Sequence, residues 1–126
     1  HELSGGMRQR VTIALATVCR PEFIIADEPT TALDVVVQKD VLAMIRSIQV
    51  EMRASVLFVT HDIEESIFLA SRVVVMSARP GRFKSIVPVD LGFPRPYTIK
   101  TSPEFSRLKA QLTEDIRSEA LAAQLN

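Results

Sequence analysis

Apolar positions along this chain switch between two periods. Met7, Val11, Ala14, Leu15 and Val18 recur at steps of three and four, the spacing of one helix face. They predict a helix from near Ser4 to about Cys19, ended by Pro21. Phe23-Ile24-Ile25-Ala26 is then a continuous apolar run between Pro21 and Pro29, which predicts a short buried strand. The helical step returns in Val37, Val41, Met44, Ile45, Ile48 and Met52 behind Asp34. Ser55 to Val59 predicts a second buried strand. Asp62 and Glu65 stand at capping-box spacing ahead of a third helix, roughly Ile63 to Ala70. Arg72 to Met76 predicts a third strand, and Ala78-Arg79-Pro80-Gly81-Arg82 a turn. Phe83 to Val89 predicts a further strand paired as a hairpin. Gly92 to Tyr97 is a proline-rich connector. Ser102-Pro103-Glu104 places proline at a helix start, and Phe105, Leu108, Leu112 and Ile116 mark an amphipathic tail helix reaching Ala120 or beyond.

Helices and strands in alternation argue for an α/β fold, here a largely parallel sheet flanked by helices. Neighbouring parallel strands bring their C-terminal ends to one edge, where open α/β sheets bind ligands. The first predicted strand ends in Asp27-Glu28 and the second in Thr60-His61-Asp62. Polar chemistry is therefore expected at one edge.

Composition narrows the classes. The chain has 126 residues, 47% hydrophobic and 24% charged, an ordinary globular balance for one domain or a large piece of one. Fifteen basic residues balance fifteen acidic ones, so a broad nucleic-acid surface is not indicated. The single cysteine, Cys19, excludes an internal disulfide and a zinc spacing. Its place at the end of an apolar helix pattern predicts a core position. No apolar run approaches the ~20 residues of a membrane helix, and no signal-peptide pattern is present. The first residue is His1 and the chain opens directly on a motif, which reads as a fragment.

Each polar feature has a structural account beside a chemical one. Ser4 suits a helix cap. Ser4-Gly5-Gly6 also leaves backbone N–H groups uncovered near the positive end of a helix, where an anion is favoured. Asp27-Glu28-Pro29 is a polar turn leaving a strand, or a pair of carboxylates in which one supports Mg²⁺ and the other polarises a water. Asp34 is sufficient as an N-cap, and His61 as a turn residue.

Taken together, Leu3-Ser4-Gly5-Gly6-Met7-Arg8-Gln9-Arg10, then Ile24 to Asp34, then Val59-Thr60-His61-Asp62 resemble the ATP-binding subunits of ABC transporters. The resemblance spans about the first 80 residues in the family's order and spacing. It implies a fold of the P-loop NTPase type, here incomplete, with ATP and Mg²⁺ as ligands. Leu3 to Met7 are similar to the signature motif, in which Ser4, Gly5 and Gly6 contact the γ-phosphate held by an opposite subunit. Met7 stands where glutamine is frequent. Asp27 matches the Walker B aspartate that supports Mg²⁺, and Glu28 the catalytic glutamate. Ala32-Leu33-Asp34 matches the D-loop, and His61 the switch histidine.

The resemblance also implies a second ATP-binding subunit, transmembrane permease partners, a solute-binding protein reached indirectly, and a peripheral place on the cytoplasmic face of a membrane. No Gly-x-x-x-x-Gly-Lys-Ser/Thr occurs in these residues, so the chain alone is expected not to hydrolyse ATP. On this reading residues 1–92 are the C-terminal part of an ABC-type ATPase domain, and 93–126 a connector and tail helix. The segment from Arg72 to Arg82, Pro94-Arg95-Pro96 and Ser102-Pro103-Glu104-Phe105 resemble importer subunits for nitrate, sulfonate or taurine. Thr30 to Val35 leans toward peptide importers. The rival expectations are an ABC-type ATPase acting on nucleic acid or ribosomes, and an inactive interaction module whose uncovered sheet edge invites aggregation.

Overall fold

The computed structural model describes residues 4–124. His1, Glu2 and Leu3, the last of them part of the signature-like stretch, lie outside the described residues. The chain divides into two compact units, His1–His61 and Asp62–Asn126.

The first unit is a helix–strand–helix–strand run: α1 (Gly5–Thr17), β1 (Phe23–Asp27), α2 (Val35–Met52) and β2 (Ser55–Val59). β1 and β2 pair in parallel, with Phe23 opposite Ser55 and Asp27 opposite Val59. Both C-terminal ends therefore reach the same edge. α2 follows its predicted face closely. Val41 and Ile45 are buried, and Val37, Met44, Ile48 and Met52 are half-buried. Arg53 ends α2 in the left-handed region, φ 53°, and its N–H turns back to the last turn, a closure that glycine usually provides.

Two expectations are corrected here. α1 does not bury the stripe from Met7 to Val18. Met7, Val11, Leu15 and Val18 are exposed, and so is Cys19, which is not a core residue. The half-buried positions of α1 are Gly6, Gln9, Ile13 and Thr17. The reason lies at Gly6. A Cβ there would stand 2.5 Å from Val37 Cγ1, so α1 meets α2 along the line where its smallest residue allows close approach. The most apolar line is left outside.

The strands are likewise not buried on both faces. Ile24, Ala26, Val56 and Phe58 face the half-buried side, while Phe23, Ile25, Leu57 and Val59 are exposed. Successive strand side chains alternate between faces, and among the described residues of this unit one face alone is covered.

The second unit contains α3 (Ile63–Leu69), β3 (Arg72–Met76), β4 (Phe83–Pro88), a short 3-10 helix (Tyr97–Thr101) and α4 (Pro103–Gln124). The largely parallel sheet is thus realised only in part. Among the described strands the parallel pair is β1–β2, whereas β3 and β4 form an antiparallel hairpin with a register shift at Val75/Met76. The hairpin turn is closed by Ser77, whose N–H donates to the Arg82 carbonyl and whose hydroxyl accepts from the Arg82 N–H at 3.0 Å.

The core of this unit is Ile67, Val75, Val87, Val89, Phe105, Leu108 and Leu112. Phe105 and Leu112 come from α4 at helical spacing and are almost fully buried, each worth about 1.5–3 kcal/mol relative to exposure. Ile116, expected on the same stripe, is exposed. Lys84 of β4 donates to the Asp115 carbonyl and meets Glu119 at 3.1 Å, which fastens α4 at that level by polar contacts instead. Buried Arg95 spans the connector. Its guanidinium donates to carbonyls of Ile67, Phe68 and Ala70 at the end of α3, and to Val89 and Leu91 after β4. The same guanidinium lies 3.9 Å over the Phe93 ring.

Candidate functional site

The parallel ladder runs one residue past β1. The Glu28 N–H donates to the Val59 carbonyl at 2.7 Å. At that point the backbone leaves the extended region, with Glu28 at φ 47°. A non-glycine residue there is strained, and the residue before a proline is further restricted. Such strain tends to gather where a side chain must be aimed.

Two turns follow. The Thr31 N–H donates to the Glu28 carbonyl and the Leu33 N–H to the Thr30 carbonyl, each at 3.2 Å, with Ala32 also left-handed at φ 63°. Gln38 of α2 donates to the Thr30 carbonyl at 3.3 Å. Asp34 then caps α2, its Oδ1 accepting from Val36 and Val37 N–H groups at 3.0 Å each. The loop between the carboxylates and α2 is thus fixed by its own backbone.

His61, two residues beyond β2, comes to Glu28. Its Nδ1 lies 2.9 Å from both Oε1 and Oε2. With Nδ1 protonated, the ring donates into the fork of the carboxylate. Thr31 Oγ1 donates to Oε2 at 2.7 Å. These two partners, His61 first and Thr31 second, hold the Glu28 carboxyl below its ordinary range. Glu28 therefore stays ionised near neutrality and accepts protons only weakly until a partner is withdrawn. The His61 side chain is 80% exposed and that of Glu28 36%, so the pair lies open to an incoming molecule. Asp27, the last residue of β1, is exposed at the same edge.

The remaining candidates occupy a different neighbourhood. Ser4 is the N-cap of α1 and accepts from the Met7 N–H at 3.3 Å, which engages that amide inside the helix start. A Cβ on Gly5 would approach Leu33 Cδ2 at 3.4 Å, and one on Gly6 would collide with Val37. The glycine turn therefore packs on Leu33 and the first turn of α2, beside the Asp34 cap. The structure brings Glu28 and His61 into contact, and sets Gly5 and Gly6 against Leu33 and Val37 on either side of Asp34, with Ser4 and Met7 exposed beside them. Thr31 was missed at the level of sequence. Its signal was a hydroxyl three residues after an acid in a turn, a pattern that side chain–backbone turns share.

Among the described residues no group of three or more His, Cys, Asp or Glu side chains could cage a metal. A single strand-end carboxylate fits Mg²⁺ in another way, since that ion keeps waters and shares its shell with substrate phosphates. Beneath the edge, an open apolar cleft of about 230 Å³ runs between α1, β1 and α2, lined among others by Ile13, Ile24, Ala26 and Ile45.

The pattern of the ABC transporter family matches residues 1–31. The chain is 41% identical over 118 residues to an aliphatic sulfonates import ATP-binding protein of Bacillus licheniformis, covering 94% of this chain and 45% of that one. It is 41% identical over 133 residues to a taurine import ATP-binding protein of Rhizobium johnstonii, covering 95% and 50%. Over most of its own length the chain is similar to ABC importer ATP-binding subunits. A peptide import ATP-binding protein of Brucella abortus is 50% identical over 111 residues, covering 86% of this chain and 32% of that one. The chain spans about half or less of the length of the curated relatives it matches. The matches to the sulfonate and taurine proteins extend across nearly the whole chain, in keeping with the C-terminal resemblance to importers of that type.

Proposed function

We propose that this chain supplies the second half of an ATP-hydrolysing site in an ABC importer ATP-binding subunit, coupling hydrolysis to solute uptake. Residues 1–92 form the C-terminal part of the ATPase domain, and 93–126 its connector and tail helix. The observation that carries the reading is the contact of His61 with Glu28 at the carboxyl edge of a parallel strand pair.

In this reading Asp27 holds Mg²⁺, which neutralises phosphate charge when bound. Glu28 is the general base that polarises the attacking water. His61 orients Glu28 and donates to the γ-phosphate. Ser4, Gly5, Gly6 and Met7, with Asp34, face the nucleotide of a second ATP-binding subunit across a dimer. Phosphoryl transfer needs positioning and charge stabilisation more than covalent chemistry, and a fixed loop with one ionised carboxylate suits that need. Transmembrane permease subunits are the direct partners and a solute-binding protein the indirect one, with the subunit peripheral to the cytoplasmic face. No helix of the described residues is long and apolar enough to cross a membrane, which is compatible with that place.

A second reading, an interaction module without turnover, is favoured by the exposed apolar face of β1 and β2. The two separate in a protein that joins this chain to a Gly-x-x-x-x-Gly-Lys-Ser/Thr segment. There, Glu28→Gln should keep ATP binding while turnover falls by about 10²-fold or more. Turnover equal to wild type would remove Glu28 as the base.

A further inference from the structure

Glu28 is a half-buried, long side chain with three soft torsions, and such a side chain does not hold one direction unaided where water reaches it. His61 is one of its two side-chain partners. In the function proposed above, on which this inference rests, His61 also serves the γ-phosphate, so its hold on Glu28 is shared. Thr31 has no such second duty. Its hydroxyl donates to Glu28 Oε2 at 2.7 Å, and its own N–H donates to the Glu28 carbonyl at 3.2 Å. The two residues are tied at backbone and side chain at once, across a turn that the left-handed Glu28 begins. Threonine is stiff at χ1, so the donor is presented in a narrow range of directions. The Thr31 side chain is exposed, and packing does not account for it.

We propose that Thr31 is a positioning residue for the hydrolytic reaction: its hydroxyl fixes Glu28 Oε2, which leaves Oε1 aimed at the water when His61 turns to phosphate. His61 Nδ1 reaches both oxygens at 2.9 Å, whereas the Thr31 hydroxyl reaches Oε2. The two carboxylate oxygens thus have unequal roles, one anchored and one reactive.

The test uses the protein that joins this chain to a phosphate-loop segment, as wild type, Thr31→Val, Thr31→Ser and Glu28→Gln. Valine keeps the shape and removes the donor. Thr31→Val should lower kcat about three- to tenfold, the effect of one lost hydrogen bond on a barrier, with KM for ATP unchanged. Thr31→Ser should restore kcat. Without nucleotide, scalar couplings along the Glu28 side chain should report one rotamer in wild type and Thr31→Ser, and averaging in Thr31→Val. Wild-type kcat and a single rotamer in Thr31→Val would overturn the proposal, as would an equal loss in Thr31→Ser. Glu28→Gln with full turnover would instead overturn the base reading, and the couplings would still decide whether Thr31 anchors the carboxylate.

Discussion

Replacing Arg95 by methionine should cost the second unit about 3 kcal/mol. Methionine keeps most of the aliphatic stem and removes the donors. The guanidinium donates to five backbone carbonyls, those of Ile67, Phe68, Ala70, Val89 and Leu91. The bonds to Ile67 and Val89 are buried. Two buried acceptors left without a donor cost about 1–3 kcal/mol each, while the other three regain water at little cost. Against this stands the desolvation of the charge, which methionine no longer suffers and which offsets part of the loss. The last carbonyls of α3 also lose a cation at the negative end of the helix, an effect of about 0.3–1 kcal/mol. The net is roughly 3 kcal/mol. For a unit of this size that lowers the melting temperature by roughly 10 °C or more. Urea unfolding followed by circular dichroism would read it, with Arg79→Met on the exposed turn as a control that should leave the midpoint unmoved. Arg95→Lys should recover only part, since one ammonium cannot span both sets of carbonyls. A loss below about 1 kcal/mol for Arg95→Met would refute the view that this side chain ties α3 to the connector.

Three further outcomes are expected. Glu64 is held below its ordinary carboxyl range by Lys109 first and Lys100 second. Its contribution is complete above the reference value of 4.5 and is lost as pH falls through the lower folded value. The side chain is 38% exposed, so solvent screening keeps the effect below about 1 kcal/mol. Urea midpoints of wild type and Glu64→Gln should differ at pH 7 and converge as pH falls below the lowered folded value. Asp34→Ala removes the acceptor of two N–H groups and should destabilise the first unit by about 0.5–2 kcal/mol, read by the same unfolding assay. Ser4→Arg, in the protein joined to a phosphate-loop segment, should block the ATP-dependent dimer in size-exclusion measurements. A normal dimer would argue against nucleotide contact at Ser4.

Local rules located most of the elements, because caps and breakers stand at their ends. Asp34 and Pro103 open helices where the sequence places them, and the Pro80-Gly81 turn announced the β3–β4 hairpin. Burial was less legible. A run such as Phe23-Ile24-Ile25-Ala26 reads as buried on both faces, yet covering two faces needs two layers, and the layer count is not a local property. The α1 stripe failed for a related reason: helix contact was decided by a missing Cβ at Gly6, which hydrophobic spacing does not weigh. At the site, the end-of-strand positions of Asp27 and His61 followed from parallel order. The part taken by Thr31 depended on the left-handed turn at Glu28, which a glutamate before proline gives no reason to expect.

The closeness of Gly6 to Val37 has a consequence for how such chains can drift in sequence. The two positions share one volume. Alanine at 6 collides with Val37 Cγ1 at 2.5 Å; with alanine at 37 that atom and Cγ2 are gone and the Val37 Cβ position, at 3.7 Å, is an ordinary contact. Gly6→Ala should therefore be harmful alone and tolerated beside Val37→Ala. Among relatives, size at one position should trade against size at the other.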